Sequence, residues 1–448
     1  MKKGKIAILV DHKWRDLPGY AYLKYLLENN YGHSVWLIEK GQAAKIIPSN
    51  LLPDMVLFIH LLSPALHDYV KYLKDLGIII GILPTEGMPA IRPDLLAGKY
   101  ADYSLADFHF LWSDTMKDFM LKYKVMPEDK LFVCGCTRFD FYREPASKCM
   151  IKKEDFANKY NINIKLKTIL FITNYTRSIF LANEERRDFY LKDTKINEKG
   201  DDVGENPLKY AQKDLESRNI FVENFKLFCS EYRNVNILLK PHPAEDIEFY
   251  RNLVSGIKHP NVRLIYQEYI WDLLNFTDVY IGRTCTTGVE AWFLNKPTIT
   301  FNLNPAEYYY SEAQGKGSNI VRTYRELIDM TNYYLQGNEI KPEILECREK
   351  FIQDWCYKLD GRSTQRCAEI INKFIDNINI KPKIKFLHPF LIHKILGKVK
   401  KSIYPSKPLK FESDPNTKTN FMGHYDKYIT QKDVDYWDQK IKSCLGKA

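Results

Sequence analysis

Short apolar runs separated by amphipathic stretches recur along the chain. In its first part the runs are Ile6–Val10, Ser34–Glu39, Met55–His60, Gly77–Leu83, Phe108–Ser113 and Lys130–Cys134. Between them, Tyr20–Asn29, Leu66–Leu76 and Asp114–Tyr123 carry apolar positions at helical spacing. Runs this short, bounded by polar or turn residues, predict strands buried on both faces of a parallel sheet. Single helices between successive strands predict a doubly wound layer structure.

The same pattern returns after a polar connection at 144–165 that is predicted to hold one helix. Strands are predicted at Thr168–Thr173, Val235–Leu239, Val262–Ile265, Val279–Ile281 and Thr298–Phe301. A helix is predicted at Asp214–Tyr232, with further helices at Tyr324–Gln336 and Lys341–Ile375. The charged stretch Glu184–Asn206 has no apolar period and reads as a surface insertion. No repeat of fixed period is visible, although the two halves share one architecture. The expected fold is therefore α/β, with two Rossmann-like domains facing across a cleft, the GT-B arrangement. The expected boundaries are 1–143 for an acceptor-side domain, 144–167 for a linker, 168–340 for a nucleotide-sugar-binding domain and 341–448 for C-terminal helices and a basic tail. Sugar-nucleotide epimerases and periplasmic binding proteins also carry two such sheets.

Composition narrows the classes. A length of 448 residues exceeds one ordinary core, and 45% hydrophobic with 27% charged residues suits a globular protein. No apolar run approaches the roughly 20 residues of a membrane span. Met1–Lys5 before Ile6–Val10 does not read as a signal peptide, so a cytoplasmic location is expected. The nine cysteines are scattered, with Cys134 and Cys136 as the nearest pair, and are expected to be reduced structural thiols. The net charge of +10 is moderate, its cations are dispersed, and no nucleic-acid-binding motif accompanies it. Lysines do concentrate at 380–410, interleaved with Phe386, Leu387, Phe390, Leu391, Ile392, Ile395 and Leu396. That segment is expected either to touch the inner face of a membrane peripherally or to pack back on the domains. The aromatic final segment, Phe411–Ala448, is expected to pack.

The candidate chemistry follows the strand ends, where open α/β sheets bind ligands. Lys240-Pro241-His242-Pro243 follows one predicted strand, and Arg283-Thr284-Cys285-Thr286-Thr287-Gly288 follows another and opens a helix. Cations, hydroxyls and helix N-terminal amides together suit a phosphate. Thr286 and Thr287 are N-cap candidates whatever the function. Glu290, further into that helix, is placed to accept ribose hydroxyls, and Asn174 and Arg177 follow the strand Thr168–Thr173. In the first half, Pro84-Thr85-Glu86-Gly87 puts a carboxylate on a strand-end turn. Glu86 reads either as a general acid/base tuned by partial burial or as a turn acid capping the next helix or pairing a lysine. Arg138 and Asp140, two apart in a segment expected to be extended, read as a hinge ion pair or as an anion-binding arginine beside a catalytic carboxylate. No Walker loop, GxGxxG, HExxH or GxSxG motif is present and no DxD follows a predicted strand, so no metal is implied.

Glu86-Gly87, His242-Pro243 and Thr286-Thr287 resemble the motifs of bacterial sialyltransferase-like enzymes that use CMP-activated sugars. The Gly-x-x-Arg-Phe-Asp turn at 135–140 and the Thr-Asn-Tyr segment at 173–175 are similar to surface-carbohydrate biosynthesis proteins related to retaining β-Kdo transferases. The likeness covers roughly 5–330 by motif and order. It departs in having one carboxylate before the glycine, and Thr-Thr as its hydroxyl pair. The resemblance implies transfer of a Kdo-like or nonulosonic acid from its CMP ester to a lipid-linked or protein-linked glycan, without a further cofactor. It implies Glu86 as acid/base and Asp140 as the nucleophile of a glycosyl-enzyme adduct. It places Lys240, His242, Pro243, Arg283, Thr284, Thr286, Thr287, Glu290 and Asn174 at the donor nucleotide, with Arg138, Arg177 and Gly87 at substrate. The same His-Pro and hydroxyl arrangement also resembles CDP-glycerol or CDP-ribitol polyol phosphotransferases of teichoic acid synthesis. A non-hydrolysing epimerase and a non-catalytic, membrane-peripheral scaffold are the further alternatives.

Overall fold

The computed structural model describes residues 2–40, 52–61, 64–88, 103–182, 184, 187–188, 207–302, 312–377 and 429–446. The basic segment 380–410 and most of the charged insertion at 184–206 lie outside the described residues.

In chain order the elements of the first half are β1 (Lys5–Val10), α1 (Leu17–Tyr31), β2 (Ser34–Glu39), β3 (Met55–Phe58), α2 (Pro64–Asp75), β4 (Ile79–Ile82), β5 (Phe108–Leu111), α3 (Asp114–Lys122) and β6 (Leu131–Val133). Then follow α4 (Lys153–Tyr160), β7 (Thr168–Ile172), α5 (Pro207–Glu231), β8 (Asn236–Lys240), α6 (Ile247–Ser255), β9 (Val262–Leu264), α7 (Ile270–Phe276) and β10 (Val279–Gly282). The last are α8 (Thr286–Phe293), β11 (Thr298–Phe301), α9 (Glu312–Gly315), β12 (Asn319–Val321), α10 (Tyr324–Leu335), α11 (Pro342–Cys356), α12 (Ser363–Asp376) and α13 (Gln431–Leu445).

The chain divides into two units. The first runs from Met1 to Cys149 and takes in α12 and α13, and the second spans Met150–Phe351. The first holds a six-stranded sheet in the order β2-β1-β3-β4-β5-β6, and the second one in the order β12-β11-β10-β7-β8-β9. Every strand pair is parallel. Two doubly wound parallel sheets are the GT-B fold that the hydrophobic pattern predicts.

The burial explains why the pattern reads so clearly. Residues 6–10 of β1 and all five of β7 are buried, as strands covered by helices on both faces must be. In the second unit Phe171 of β7 meets Phe225 and Phe228 of α5 edge-on, at 5.1 and 5.0 Å between ring centroids. Such pairs add about 1 kcal/mol each beyond the area they bury. In the first unit α1 starts next to Pro18 and ends at Gly32, whose φ of +70° closes the helix in the left-handed region.

Three expectations change. The helical stretch expected over Lys341–Ile375 is two helices, broken between Cys356 and Ser363, where Tyr357 and Gly361 take φ of +58° and +73°. The segment Thr137–Tyr142 is a 3₁₀ turn, so Arg138 and Asp140 do not share a side as extended residues would. The short edge strand β12 has no predicted counterpart, because three residues carry too little periodicity. At the C-terminus α13 does pack: Trp437 is fully buried and meets Phe141 edge-on at 5.5 Å.

Candidate functional site

The second sheet places its central loops at one level. Gly282 of β10 pairs with Ile172 of β7, which in turn pairs with Lys240 of β8. These strands are neighbours, and the chain order reverses between β10 and β7. Their C-terminal loops therefore open together at the sheet's switch point, the usual ligand position in this architecture. They carry Asn174 and Arg177 after β7, Lys240 to Pro243 around the end of β8, and Arg283 to Thr287 after β10.

Two buried carboxylates brace these loops from within. Asp214 of α5 is 1% exposed; it accepts a hydrogen bond from Arg283 Nη1 at 2.7 Å and another from the Arg177 amide at 2.8 Å. Arg283 Nη1 also donates to the Asn174 carbonyl at 2.8 Å, and its guanidinium lies 4.7 Å above the Tyr175 ring. Glu245 accepts from Thr173 Oγ1 at 2.5 Å, from the His242 amide at 2.9 Å and from the Tyr250 hydroxyl. Burial pushes the Glu245 carboxyl above its ordinary range, against those hydrogen bonds. The sequence reading missed both residues. Asp214 is one polar residue on an amphipathic helix. Glu245, three residues after His242, had a signal in its turn spacing.

His242 itself is exposed, and its Nδ1 accepts the Ala244 amide at 3.1 Å. A ring nitrogen accepting from a backbone amide carries no proton, so the imidazole presents Nε2–H as its donor. Lys240 Nζ donates to the Tyr266 carbonyl at 2.7 Å. The residue at the N-cap of α8 is Cys285, without a side-chain cap bond, so Thr286 and Thr287 occupy the first helical positions instead of capping them. Thr284 is half-buried beside them, and Glu290 is buried within α8 at 3% exposure.

In the first unit the turn after β4 is held by aromatic and cationic packing. Trp112 Nε1 donates to the Pro84 carbonyl at 3.2 Å, and the buried Arg138 donates from Nη1 to the Thr85 carbonyl at 3.2 Å. The Arg138 guanidinium sits 5.0 Å above the Trp112 ring. A Cβ on Gly87 would collide with that ring, so Gly87 is set by packing. Glu86, expected to be tuned by partial burial, is instead 60% exposed and pairs with Arg15. Arg15 was not singled out from sequence, although the charged run after β1 obeys the same strand-end rule.

Asp140, the expected nucleophile, meets the start of a helix. It is 1% exposed, and its two oxygens accept the amides of Ser363 and Thr364 at 3.0 and 2.7 Å. Those are the first residues of α12, so the carboxylate holds a helix N-terminus. Burial moves its carboxyl above the ordinary range, against the Thr364 and Ser363 amides. Arg138 and Asp140 thus serve separate neighbours. No disulfide joins the nine cysteines, all of which lie among the described residues. No helix among the described residues is long and apolar enough to cross a membrane.

Solved structures share this GT-B architecture. The wall teichoic acid polymerase TagF, in a variant soaked with CDPG, aligns with a TM-score of 0.51 at 14% identity, over 83% of this chain and 88% of its own. The S. aureus MnaA–UDP co-structure aligns with a TM-score of 0.52 at 16% identity, over 86% of this chain and 100% of its own. No protein-family profile matches the sequence, and no curated protein matches it.

Proposed function

We propose that the chain is a glycosyltransferase that moves a Kdo-like or nonulosonic acid from its CMP ester to a hydroxyl of a surface glycan. The observation that carries this reading is the convergence of three loops at the switch point of the second sheet, braced by Asp214 and Glu245. A nucleotide phosphate there meets His242 Nε2–H, the Lys240 ammonium and the N-terminal amides of α8 with Thr286 and Thr287. Arg283, tied to Asp214 and Asn174, keeps two of the loops together. The cytidine base and the ulosonic acid rest on the resemblance of the motifs.

The position of Asp140 favours direct displacement over a glycosyl-enzyme adduct. The acceptor oxygen bonds to the anomeric carbon as the bond from that carbon to the phosphate oxygen breaks. CMP leaves with the electron pair, and Glu86 takes the acceptor proton. A second reading, transfer of a polyol phosphate from a CDP-polyol, is favoured by the alignment with the TagF structure carrying CDPG.

Calorimetry and thermal shift with CMP, CDP, UDP, GDP and ADP test the proposal. A nucleotide saturating the folded state raises stability by about 2–4 kcal/mol. Selective stabilisation by CMP supports the ulosonic acid transferase, and a preference for CDP moves the assignment to polyol phosphate transfer. A preference for UDP points to another sugar nucleotide, and silence across the panel overturns the enzymatic reading in favour of a scaffold.

A further inference from the structure

The strand ends of the first sheet carry a second polar cluster. His60 follows β3, Lys40 follows β2, Asp11 and Arg15 follow β1, and Glu86 follows β4. These side chains form one connected run. Lys40 Nζ is 3.0 Å from His60 Nε2 and 3.8 Å from Asp11, and Arg15 Nη2 is 3.5 Å from Asp11 Oδ2. Arg15 Nη1 then bonds Glu86. The run crosses four adjacent strands.

Arg15 is more than a surface partner. Its Nε and Nη2 donate to Asp16 Oδ1 and Oδ2 at 2.8 and 3.1 Å, and Asp16 is 4% exposed. Asp16 stands at the N-cap of α1, yet its side chain makes no cap bond to the helix. A buried carboxylate that forgoes its helix amides to fork a guanidinium fixes that guanidinium in direction, and so fixes Glu86. Burial disfavours the charge on Arg15, but Asp16, Glu86 and Asp11 outweigh it and hold the group charged.

The charge balance separates the two strand-end regions. Around the run, among the described residues, three cations (Arg15, Lys40 and the buried Arg138) face three carboxylates (Asp11, Asp16, Glu86). At the second sheet, four described cations (Arg177, Lys240, Arg283, and Arg218, which donates to Ser178 Oγ at 3.3 Å) accompany three buried carboxylates, Asp214, Glu245 and Glu290. Among the described residues the second region carries a positive surplus that suits an anion, whereas the first is balanced. Alternating donors and acceptors suit sugar hydroxyls, each of which both donates and accepts.

We infer that Asp11, Arg15, Lys40, His60 and Glu86 form the acceptor subsite, that it takes an uncharged polyhydroxyl sugar, and that Arg15 is the positioning residue for Glu86. This rests on the transferase reading above. The test follows nucleotide release from CMP-Kdo and from CDP-glycerol by the full-length protein, with neutral methyl glycosides or hexose phosphates as acceptors. Neutral glycosides should accelerate release, and hexose phosphates should not. Arg15→Gln and the exposed Glu86→Gln should each cut that acceleration about 100-fold in kcat, the scale of a general base. Arg15→Lys should recover part of it, with donor KM and nucleotide Kd changed less than about twofold. Acceleration by phosphates, none by any neutral glycoside, or full acceleration in Arg15→Gln overturns the inference while nucleotide binding leaves the transferase reading standing. Absence of nucleotide binding in the unmodified protein overturns both.

Discussion

At the scale of single residues, the site depends on side chains that touch no substrate in the proposed scheme. Asp214 is the clearest case. Removing it by Asp214→Ala leaves the Arg283 guanidinium, only 10% exposed, without its carboxylate and the Arg177 amide without its acceptor. Breaking a buried pair in this way costs about 3–5 kcal/mol. We expect urea unfolding to show that loss, and the nucleotide-induced stabilisation to vanish with it. Asp140 gives the opposite expectation for activity. Asp140→Asn keeps one acceptor for α12 but loses the charge at its N-terminus, a loss of about 1–2 kcal/mol. Donor turnover should stay within about threefold of the unmodified enzyme, once its stability is accounted for. Complete loss of turnover in a folded variant would restore Asp140 as the nucleophile.

At the scale of elements, β5 carries a pH dependence of its own. His109 is 3% exposed in the first sheet, its ring 4.9 Å from that of Tyr103. Burial lowers its pKa from 6.5 to about 3. The folded state thus binds fewer protons than the unfolded chain between those values. Stability from the neutral ring is complete above about pH 6.5 and is lost as pH falls towards 3. At pH 5 the loss is about 2 kcal/mol. Urea midpoints at pH 7 and pH 5 should show it in the unmodified protein, and His109→Phe should remove that part of the difference. The same sheet also depends on a remote helix. Phe374 of α12 stacks on Phe108 of β5 at 4.3 Å between centroids, and Asp140 holds the start of that helix. An element predicted as part of a C-terminal appendage is therefore structural to the first unit.

At the scale of the whole molecule, the described part of the second unit is one run, Met150 to Phe351, whereas the first is assembled from both ends of the chain. A continuous unit with its own core folds by itself more readily than one whose parts are far apart in sequence. The segment Met150–Phe351 expressed alone should give a single cooperative melt and retain the nucleotide preference of the full chain. A segment ending at Phe351 that begins at Met1 should lose cooperativity in the first unit, because α12 and α13 are missing. Arg348 argues for the end chosen for the second unit. It is 3% exposed and donates to Gly317 O and Thr298 Oγ1 at 2.7 and 2.8 Å, so α11 up to Phe351 belongs to that core.

The sequence by itself determined the class of fold, since buried parallel strands are continuous apolar runs and their order along the chain is visible without coordinates. It also located the strand-end loops after β4, β7, β8 and β10, because basic, hydroxyl and Pro/Gly residues there break the apolar pattern. Only the tertiary structure decided which side chains those loops share. Asp140 meets amides more than two hundred residues downstream in the chain, at Ser363 and Thr364. Asp214 reaches Arg283 across 69 positions, and Arg15 reaches Glu86 across 71. Periodicity records which face of an element is buried, and it extends over one element at a time. A carboxylate that pairs across elements looks like any other polar residue on a helix or turn until the sheet order brings its partner alongside.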